Sequence, residues 1–194
     1  EVTPHPDGAD GPPEGAAPSH RVTRRIGLRQ LALRGWVLHV NGERLFLKGA
    51  NQGPTRMALA EASADDLVRD VQLAKDANLD LLRVHAHVSR PELYNAADEA
   101  GVLLWQDFPL QGAYARSIRK QAQRQAREMV DLLGHHPSIA VWCAHDEPFK
   151  GEIGEDGTLE PAVAAARRFF AAQELPSWNK SVLDRSVKRA IDGA

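Results

Sequence analysis

One apolar run constrains the fold of this chain most. In the segment HPSIAVWCAHDEP (136–148), six consecutive non-polar residues, 139–144, are soon followed by Asp146, Glu147 and Pro148. Such a run is typical of a strand buried on both faces, as in a parallel sheet covered by helices. A carboxyl group at the carboxyl end of a barrel strand usually binds a ligand or catalyses a reaction. Asp146 and Glu147 are therefore the first candidate site residues, and an acidic start to a loop is the simpler alternative.

From residue 46 onward, strand-like and helix-like segments alternate, which is typical of βα units. Ser63 with Asp66, and Ser89 with Glu92, have the spacing of capping boxes at helix starts. Gly101 and Gly134 are expected at the ends of the second and third helices. The predicted strands are 46–51, 79–84, 102–105 and 139–144. Beyond them we expect a polar loop over 150–158 and helices over 159–173 and 181–191.

The beginning of the chain has a different character. Residues 1–20 are rich in proline and glycine and nearly free of apolar side chains, so they cannot bury enough surface to offset the entropy of ordering. We expect a flexible linker there, and then an extended strand with a bulge over 22–33. The alternation of Trp36, Leu38 and Val40 before Asn41-Gly42 predicts a β-hairpin.

Composition excludes several classes of protein. The chain has 194 residues, 43% of them hydrophobic, and a net charge of −2. It can bury a sizeable core and lacks the basic footprint of a nucleic-acid binder. No run approaches the roughly 18 apolar residues of a membrane span, and a single cysteine, Cys143, excludes an intramolecular disulfide. We expect neither nucleic acid nor membrane as a partner. The start at Glu1, with neither methionine nor a signal sequence, suggests a piece of a longer protein; its compartment is open.

Four motifs in order carry a resemblance to a known family: FLKGAN (46–51), NLDLLRVHAHVSRPELYNAADEAG (78–101), VLLWQDFP (102–109) and the 136–148 segment. They resemble the first four barrel strands of retaining glycoside hydrolases of family 2, the group that holds β-galactosidases, β-glucuronidases and β-mannosidases. The resemblance covers about residues 22–192. Within it, the WQDF and LLRV motifs resemble the β-mannosidase-like branch of the family most.

The resemblance implies a fold, an activity and a domain organisation. Residues 35–194 would form the N-terminal half of a (β/α)₈ TIM barrel, with about four βα units, and residues 21–34 the last strand of a preceding immunoglobulin-like sandwich. The hairpin would cover the bottom of the barrel. The activity implied is hydrolysis of β-linked O-glycosidic bonds with retention, on a carbohydrate substrate and without a cofactor.

The resemblance also implies roles for the two acidic residues. Retaining hydrolysis needs two carboxyl groups, one that attacks the anomeric carbon and one that acts as acid and then base. Glu147 matches the family's acid/base. Asp146 stands where the family has an asparagine that donates hydrogen bonds to the sugar's 2-hydroxyl, whereas an ionised aspartate only accepts them. Either Asp146 accepts a hydrogen bond from that hydroxyl, or activity suffers.

Further substrate-binding candidates follow the other strands. Arg83 matches an arginine at the end of the family's second strand, where its planar fork would brace carboxylates; a salt bridge at the barrel bottom is the alternative. Asp107 matches the acidic residue that ends the third strand. The remaining candidates are Asn51, His85, His87 and Trp105. Trp105 is equally compatible with core packing, and Gln52, which follows Asn51 in place of the family's tryptophan, weakens the mannoside interpretation.

Two alternatives remain. His85 and His87 form an HxH pair of the kind that metal-dependent amidohydrolases use, and His135, His136 or His145 with Asp146 could complete a site. In those barrels the pair lies on the first strand and here on the second, so we expect no metal.

The second alternative is an inactive carbohydrate-binding or interaction module. Residues 35–194 are fewer than the roughly 200 to 250 that a complete barrel takes. The family's nucleophile, a glutamate on the seventh strand, has no counterpart here. We expect the other half of the barrel from the remainder of a parent chain, and an inactive fragment without it.

Overall fold

The computed structural model describes residues 23–148, 167, 170–171 and 173–194. Within them a three-stranded antiparallel sheet precedes a four-stranded parallel sheet. The antiparallel strands are β1 (Leu31–Arg34), β2 (Val37–Val40) and β3 (Glu43–Leu45). The parallel strands are β4 (Gly49–Gln52), β5 (Leu81–Val84), β6 (Leu103–Asp107) and β7 (Ile139–Cys143). The α-helices whose ends lie within the described residues are α1 (Ala64–Asp76), α2 (Pro91–Ala100), α3 (Arg119–Leu133) and α4 (Asp184–Asp192). A π-helical segment, Asn179–Leu183, precedes α4.

Several predicted segments lie outside the described residues. They are the linker 1–20, residues 21–22, the polar loop 150–158 and most of the helix 159–173. The division of the chain into a linker, a sandwich strand over 21–34 and a half barrel over 35–194 stays a prediction. Among the described residues, no helix is both long enough and apolar enough to cross a membrane.

The parallel sheet confirms the prediction of a partial barrel. Its strands lie in chain order, β4-β5-β6-β7, and a helix connects each strand to the next. The register places Asn51 beside Arg83, Arg83 beside Trp105 and Trp105 beside Val141. Because side chains alternate between the two faces of a strand, these four residues form one row on one face. The third strand runs two residues further than predicted, so Asp107 is its last residue and pairs with Cys143.

The core lies between the parallel sheet and its helices. Leu82, Val84 and Leu104 on the sheet belong to the same buried cluster as Leu67 of α1 and Leu93 of α2. Burial of each such side chain contributes about 1.5 to 3 kcal/mol. Helix α3 buries the expected stripe of Ala122, Ala126, Met129 and Leu133. The sheet is therefore covered on its helical side, and the row that contains Arg83 lies on the other face.

The helix ends follow the sequence in one case and depart from it in another. The capping box of Ser63 with Asp66 is present at the start of α1. The one predicted for Ser89 is wrong, because Arg90 is the N-cap of α2 and the Ser89 backbone N–H donates instead to the Tyr94 hydroxyl, at 3.0 Å. Gly101 ends α2 in the left-handed conformation, with φ of 68°.

The segment before the hairpin also departs from its prediction. The hairpin turn at Asn41 and Gly42 has the expected positive φ values of 52° and 87°. The strand expected over 22–33, however, begins only at Leu31. Residues 23–30 contact the amino-terminal end of the parallel sheet through arginine side chains: Arg24 bonds His135, Arg25 bonds Glu99 and Arg29 donates to the carbonyl of Ile139. Over residues 23–29, side-chain contacts replace the sheet ladder.

Candidate functional site

Charged side chains from three neighbouring strands meet at the carboxyl end of the parallel sheet. Arg83 lies near the end of β5, Asp107 ends β6, and Asp146 follows β7. Asp146 is held by a parallel bridge to Gln111, in which its backbone N–H donates to the carbonyl of Leu110 at 2.9 Å and its carbonyl accepts from Gly112 at 3.0 Å. The carboxyl ends of parallel strands share one edge, so these residues converge because of the topology.

One guanidinium bridges two carboxylates at this edge. The Nε of Arg83 lies 3.1 Å from both carboxylate oxygens of Asp107, and its Nη2 lies 2.9 Å from Asp107 Oδ2 and 2.6 Å from Asp146 Oδ1. The Asp107 side chain is 0% exposed and that of Asp146 is 10% exposed. Buried carboxylates need such partners, because an unpaired buried charge is strongly destabilising. This pairing has the geometry of the bracing contact expected of Arg83, whose role in substrate binding stays a prediction.

His85 extends the arrangement toward solvent. Its Nε2 lies 2.8 Å from Asp146 Oδ2, and its side chain is 32% exposed. The next residue, Ala86, has φ of 55° and donates its backbone N–H to Asp107 Oδ2 at 3.1 Å. Arg83, His85, Asp107 and Asp146 are called the strand-end cluster below. Of the four, His85 is the most open to an incoming ligand.

Hydrogen bonds within the strand-end cluster stabilise the charged forms of Asp146 and Arg83. Burial alone would raise the pKa of Asp146, but hydrogen bonds from Arg83 and His85 outweigh it and lower that pKa below its ordinary value of 3.8. Burial likewise opposes the charge of Arg83, and the bonds to Asp107 and Asp146 overcome this and raise the pKa of Arg83. Two carboxylates against one guanidinium leave one negative charge uncompensated unless His85 is protonated. Such a site favours ligands that donate hydrogen bonds.

Glu147 does not join the cluster, although the sequence led us to expect it beside Arg83 and Asp107. Its side chain is exposed, and it forms no hydrogen bond or ion pair with the residues that the structure describes. The reason is local. Asp146 is fixed by Arg83 and by its bridge to Gln111, and the chain then leaves the bridge with Glu147 in a left-handed conformation, φ 43°. Its catalytic role stays a prediction.

The other predicted site residues differ in whether they contact the strand-end cluster. Trp105 lies on the same face as Arg83, whose guanidinium carbon is 5.4 Å from the centre of the indole ring. Its indole nitrogen is buried and, among the described residues, without a hydrogen-bond partner. His87 bonds through Nδ1 to the carbonyl of His85 at 2.9 Å. Asn51 is exposed on the edge strand β4. The structure brings Trp105 to the cluster and leaves Asn51 and His87 outside its side-chain contacts.

The histidine pair of the amidohydrolase alternative does not assemble a metal site among the described residues. His85, Asp107 and Asp146 offer ligand atoms within 4.8 Å of one another, but the guanidinium of Arg83 already binds both carboxylates. A metal ion would have to displace that guanidinium. The other histidines have separate partners: His135 bonds Arg24, His136 bonds Asp98, and His145 bonds the carbonyl of Gly112. The donor set does not fit a resident metal.

Sequence reasoning missed two buried polar residues behind the cluster. Tyr94 and Gln106 are both 0% exposed, and the Tyr94 hydroxyl donates to Gln106 Oε1 at 2.8 Å. Gln106 Nε2 lies 2.8 Å from the carbonyl oxygen of His87 and 2.6 Å from that of Asp107. The available signal was a glutamine inside the apolar strand VLLWQDF, which needs partners when buried.

A separate cavity lies away from the strand-end cluster. It has a volume of about 490 Å³ and separates the hairpin from the amino-terminal end of the parallel sheet. Its lining includes Arg44, Lys75, Asp80 and Leu103. We assign the site to the strand-end cluster instead, because parallel barrels place their chemistry at the carboxyl ends of strands and the cavity holds no comparable convergence of paired charges.

Known proteins similar to this chain include several glycosidases. Beta-mannosidase B of Thermothelomyces thermophilus is 28% identical over 179 residues, which cover 82% of this chain and 19% of that protein. The β-mannosidase of Mus musculus is 33% identical over 117 residues, 56% of this chain and 13% of the relative. A putative β-glucuronidase of Formosa agariphila is 26% identical over 132 residues, 66% and 16% of the two chains. No model of a known protein family matches the chain.

Solved structures point the same way. The β-D-mannosidase of Dictyoglomus thermophilum superposes with a TM-score of 0.59 at 28% identity and covers 64% of this chain, and this chain covers 17% of that structure. A β-glucuronidase of Ruminococcus gnavus, in complex with a C6-substituted uronic isofagomine, gives 0.59 at 26% identity over 77% of this chain and 26% of its own. This chain spans no more than about a quarter of the length of these relatives.

Proposed function

The chain is related over its barrel segment to the family 2 glycoside hydrolases, and from this premise we propose that the protein containing it hydrolyses β-linked O-glycosides with retention of configuration. One observation carries the proposal: Arg83, Asp107 and Asp146 converge, with His85, at the carboxyl end of parallel strands. That end is where barrel enzymes do their chemistry. A ligand rich in hydroxyl donors suits a cluster in which two carboxylates share one guanidinium.

We propose Glu147 as the acid/base of this reaction. Its carboxyl group follows Asp146 directly, is exposed, and forms no hydrogen bond or ion pair with the described residues, so nothing among them withholds it from a substrate. The buried carboxylates of Asp107 and Asp146 already bind Arg83. The lowered pKa of Asp146 also makes that residue a poor proton donor. Asp146 and His85 would position the sugar, and Trp105 would line the site beside Arg83.

The nucleophile and the other half of the barrel would come from the remainder of a parent chain. The edge strand β4 supports this, because three of its four residues, Gly49 to Asn51, are exposed. A closed barrel has no such edge, and open edges invite pairing with further strands. The chain by itself would then be inactive.

The substrate proposed is a β-mannoside or a β-glucuronide, the two classes named by the relatives. One β-mannosidase aligns over 82% of this chain. Gln52-Gly53-Pro54 after Asn51, in place of the tryptophan-containing pattern of the mannosidase-like branch, is a reason to test both. Hydrolysis of aryl β-mannosides against aryl β-glucuronides by the whole protein decides between them.

Replacement of Glu147 tests the proposed mechanism. In the whole protein, Glu147→Ala should cripple alkyl β-glycosides and spare the first step for aryl β-glycosides, whose leaving groups depart without protonation. The two kcat/KM values should diverge by about 10²- to 10⁴-fold, the usual worth of general acid assistance. The matched control is Glu128→Ala, which removes an exposed carboxylate on α3 and should leave both values unchanged.

The same experiment addresses the alternative of an inactive module, which gains support from Asp146 in place of the family's asparagine. Equal losses on alkyl and aryl substrates in Glu147→Ala would show that Glu147 is not the proton donor. Sugar binding by the whole protein without turnover of any β-glycoside would establish a carbohydrate-binding role instead.

A further inference from the structure

Two residues behind the strand-end cluster have a hydrogen-bonding pattern that packing alone does not require. Tyr94 on α2 and Gln106 on β6 are both 0% exposed, and each uses its polar atoms on backbone or on the other. A buried amide or hydroxyl costs free energy unless it is fully hydrogen-bonded. A leucine at position 106 would avoid that cost.

The donors and acceptors fix the direction of every bond in this network. Carbonyl oxygens only accept, so Gln106 must turn its Nε2 toward the carbonyls of His87 and Asp107, at 2.8 and 2.6 Å. Its Oε1 is left to accept from the Tyr94 hydroxyl at 2.8 Å. That hydroxyl in turn accepts from the backbone N–H of Ser89 at 3.0 Å. Both hydrogens of the amide and the hydroxyl are thus fully used.

The network holds the loop formed by residues 85–89, which begins with His85. Within residues 85–89, the carbonyl of His87 and the N–H of Ser89 are held by Gln106 and Tyr94, and the N–H of Ala86 is held by Asp107. Ala86 has a left-handed conformation, φ 55°, which a residue with a side chain keeps only when its surroundings impose it. These anchors lie directly after His85, whose Nε2 is 2.8 Å from Asp146.

We propose that Gln106 and Tyr94 are positioning residues that hold the 85–89 loop, and with it His85, against Asp146. Neither touches the ligand site itself. Gln106 also bonds the carbonyl of Asp107, so one amide sets the spacing between the β6 end and the loop after β5. The part of this inference that concerns catalysis rests on the proposed glycosidase function, and the part that concerns the position of His85 does not.

The test uses two variants in the whole protein. Gln106→Glu keeps the shape of the side chain but puts an oxygen against the two carbonyls, and Tyr94→Phe removes only the hydroxyl. The control, Asp98→Asn, weakens another buried network, at the opposite end of the sheet, where Asp98 accepts from His136 and from the Ser138 N–H.

The first readout is the rate at which diethyl pyrocarbonate modifies each histidine, followed by peptide mass spectrometry. Loss of a buried hydrogen bond should raise the opening of the loop, and the modification of His85, by about 5- to 150-fold. His136 should keep its parental rate in both variants. Asp98→Asn should accelerate His136 and leave His85 unchanged.

The second readout is kcat/KM on an aryl β-glycoside, expected to fall by up to about 10²-fold in Gln106→Glu, as for a misplaced site residue, and to hold in Asp98→Asn. Parental modification rates at His85 in both variants, or equal acceleration at His85 and His136, would overturn the positioning role. If the parent hydrolyses no β-glycoside, the proposed function fails, and the modification rates still decide this inference.

Discussion

The two ends of the parallel sheet each contain a histidine–aspartate pair, and the pairs differ in what surrounds them. At the carboxyl end, His85 Nε2 lies 2.8 Å from Asp146, and at the amino end, His136 Nδ1 lies 2.6 Å from Asp98. The chemistry of the two contacts is the same. Their environments differ: the pair of His136 and Asp98 is buried and supports the fold, whereas the pair of His85 and Asp146 is open to a ligand.

The amino-end pair is closed. The side chains of His136 and Asp98 are 5% and 12% exposed, and the second oxygen of Asp98 accepts from the Ser138 N–H at 2.9 Å. The His136 ring lies between aromatic rings, 5.3 Å from Tyr94 and 4.1 Å from His135 by their centres. Both carboxylate oxygens of Asp98 accept hydrogen bonds from protein groups, which is typical of a structural contact.

The carboxyl-end pair is open and strained. His85 is 32% exposed, and the residues after each partner, Ala86 and Glu147, both have positive φ values, 55° and 43°. Uncommon backbone conformations cluster at functional sites, where the surrounding contacts hold them. Asp146 shares one guanidinium with Asp107, so two carboxylates depend on a single cation at this end. Exposure, strain and shared charge together distinguish the candidate site.

The largest effect on stability is expected from Arg83. Arg83→Met removes the guanidinium from two carboxylates, one of them 0% exposed, and should lower the free energy of unfolding by about 3 to 5 kcal/mol. Chemical denaturation at neutral pH measures this. The control, Arg25→Met, removes an ion pair whose arginine is 81% exposed and should change stability by less than about 0.5 kcal/mol. Similar small changes in both variants would mean that the carboxylates of the cluster do not depend on Arg83.

A smaller effect with a pH signature is expected from Asp146→Asn. Neutral hydrogen bonds replace charge-assisted ones to Arg83 and His85, so the variant should lose about 1 kcal/mol at pH 7. The pKa of Asp146 is lowered below 3.8 in the folded protein, so its carboxylate contributes stability above the unfolded pKa and loses it as the pH falls through the folded value. The difference between parent and variant should be constant above about pH 5 and shrink below pH 3.8. A difference that stays constant down to pH 2 would contradict the lowered pKa.

The sequence predicted the order of the parallel strands and part of the strand-end cluster. The alternation of apolar strands and capped helices predicted four parallel strands in order, and strand-end placement predicted that Arg83 and Asp107 would meet. It could not predict the side chain of Glu147, because its exposure follows from a left-handed residue after a bridge between distant segments, Gln111 and Asp146. The strand expected over 22–33 failed for a related reason. An apolar alternation does not reveal that arginine side chains, rather than a ladder, hold 23–30 to the sheet.

The partners of Gln106 in the buried network behind the cluster could not be predicted from the sequence either. Ser89 with Glu92 has the spacing of a capping box, but Tyr94 takes the backbone N–H of Ser89, and the Ser89 hydroxyl has no partner among the described residues. Local spacing predicts local bonds, whereas Tyr94 and Gln106 meet only after α2 packs on the sheet. Long-range polar contacts of this kind require the three-dimensional arrangement.

The most direct test of the difference between the two ends is to replace each histidine by glutamine in the whole protein and to measure both kcat/KM on an aryl β-glycoside and the free energy of unfolding. His85→Gln should lower kcat/KM by about 10- to 100-fold and leave stability within about 0.5 kcal/mol. His136→Gln should lower stability by about 1 to 3 kcal/mol and leave kcat/KM unchanged. Equal losses of activity in the two variants, or an active His85→Gln that is markedly unstable, would contradict the assignment of function to the carboxyl end.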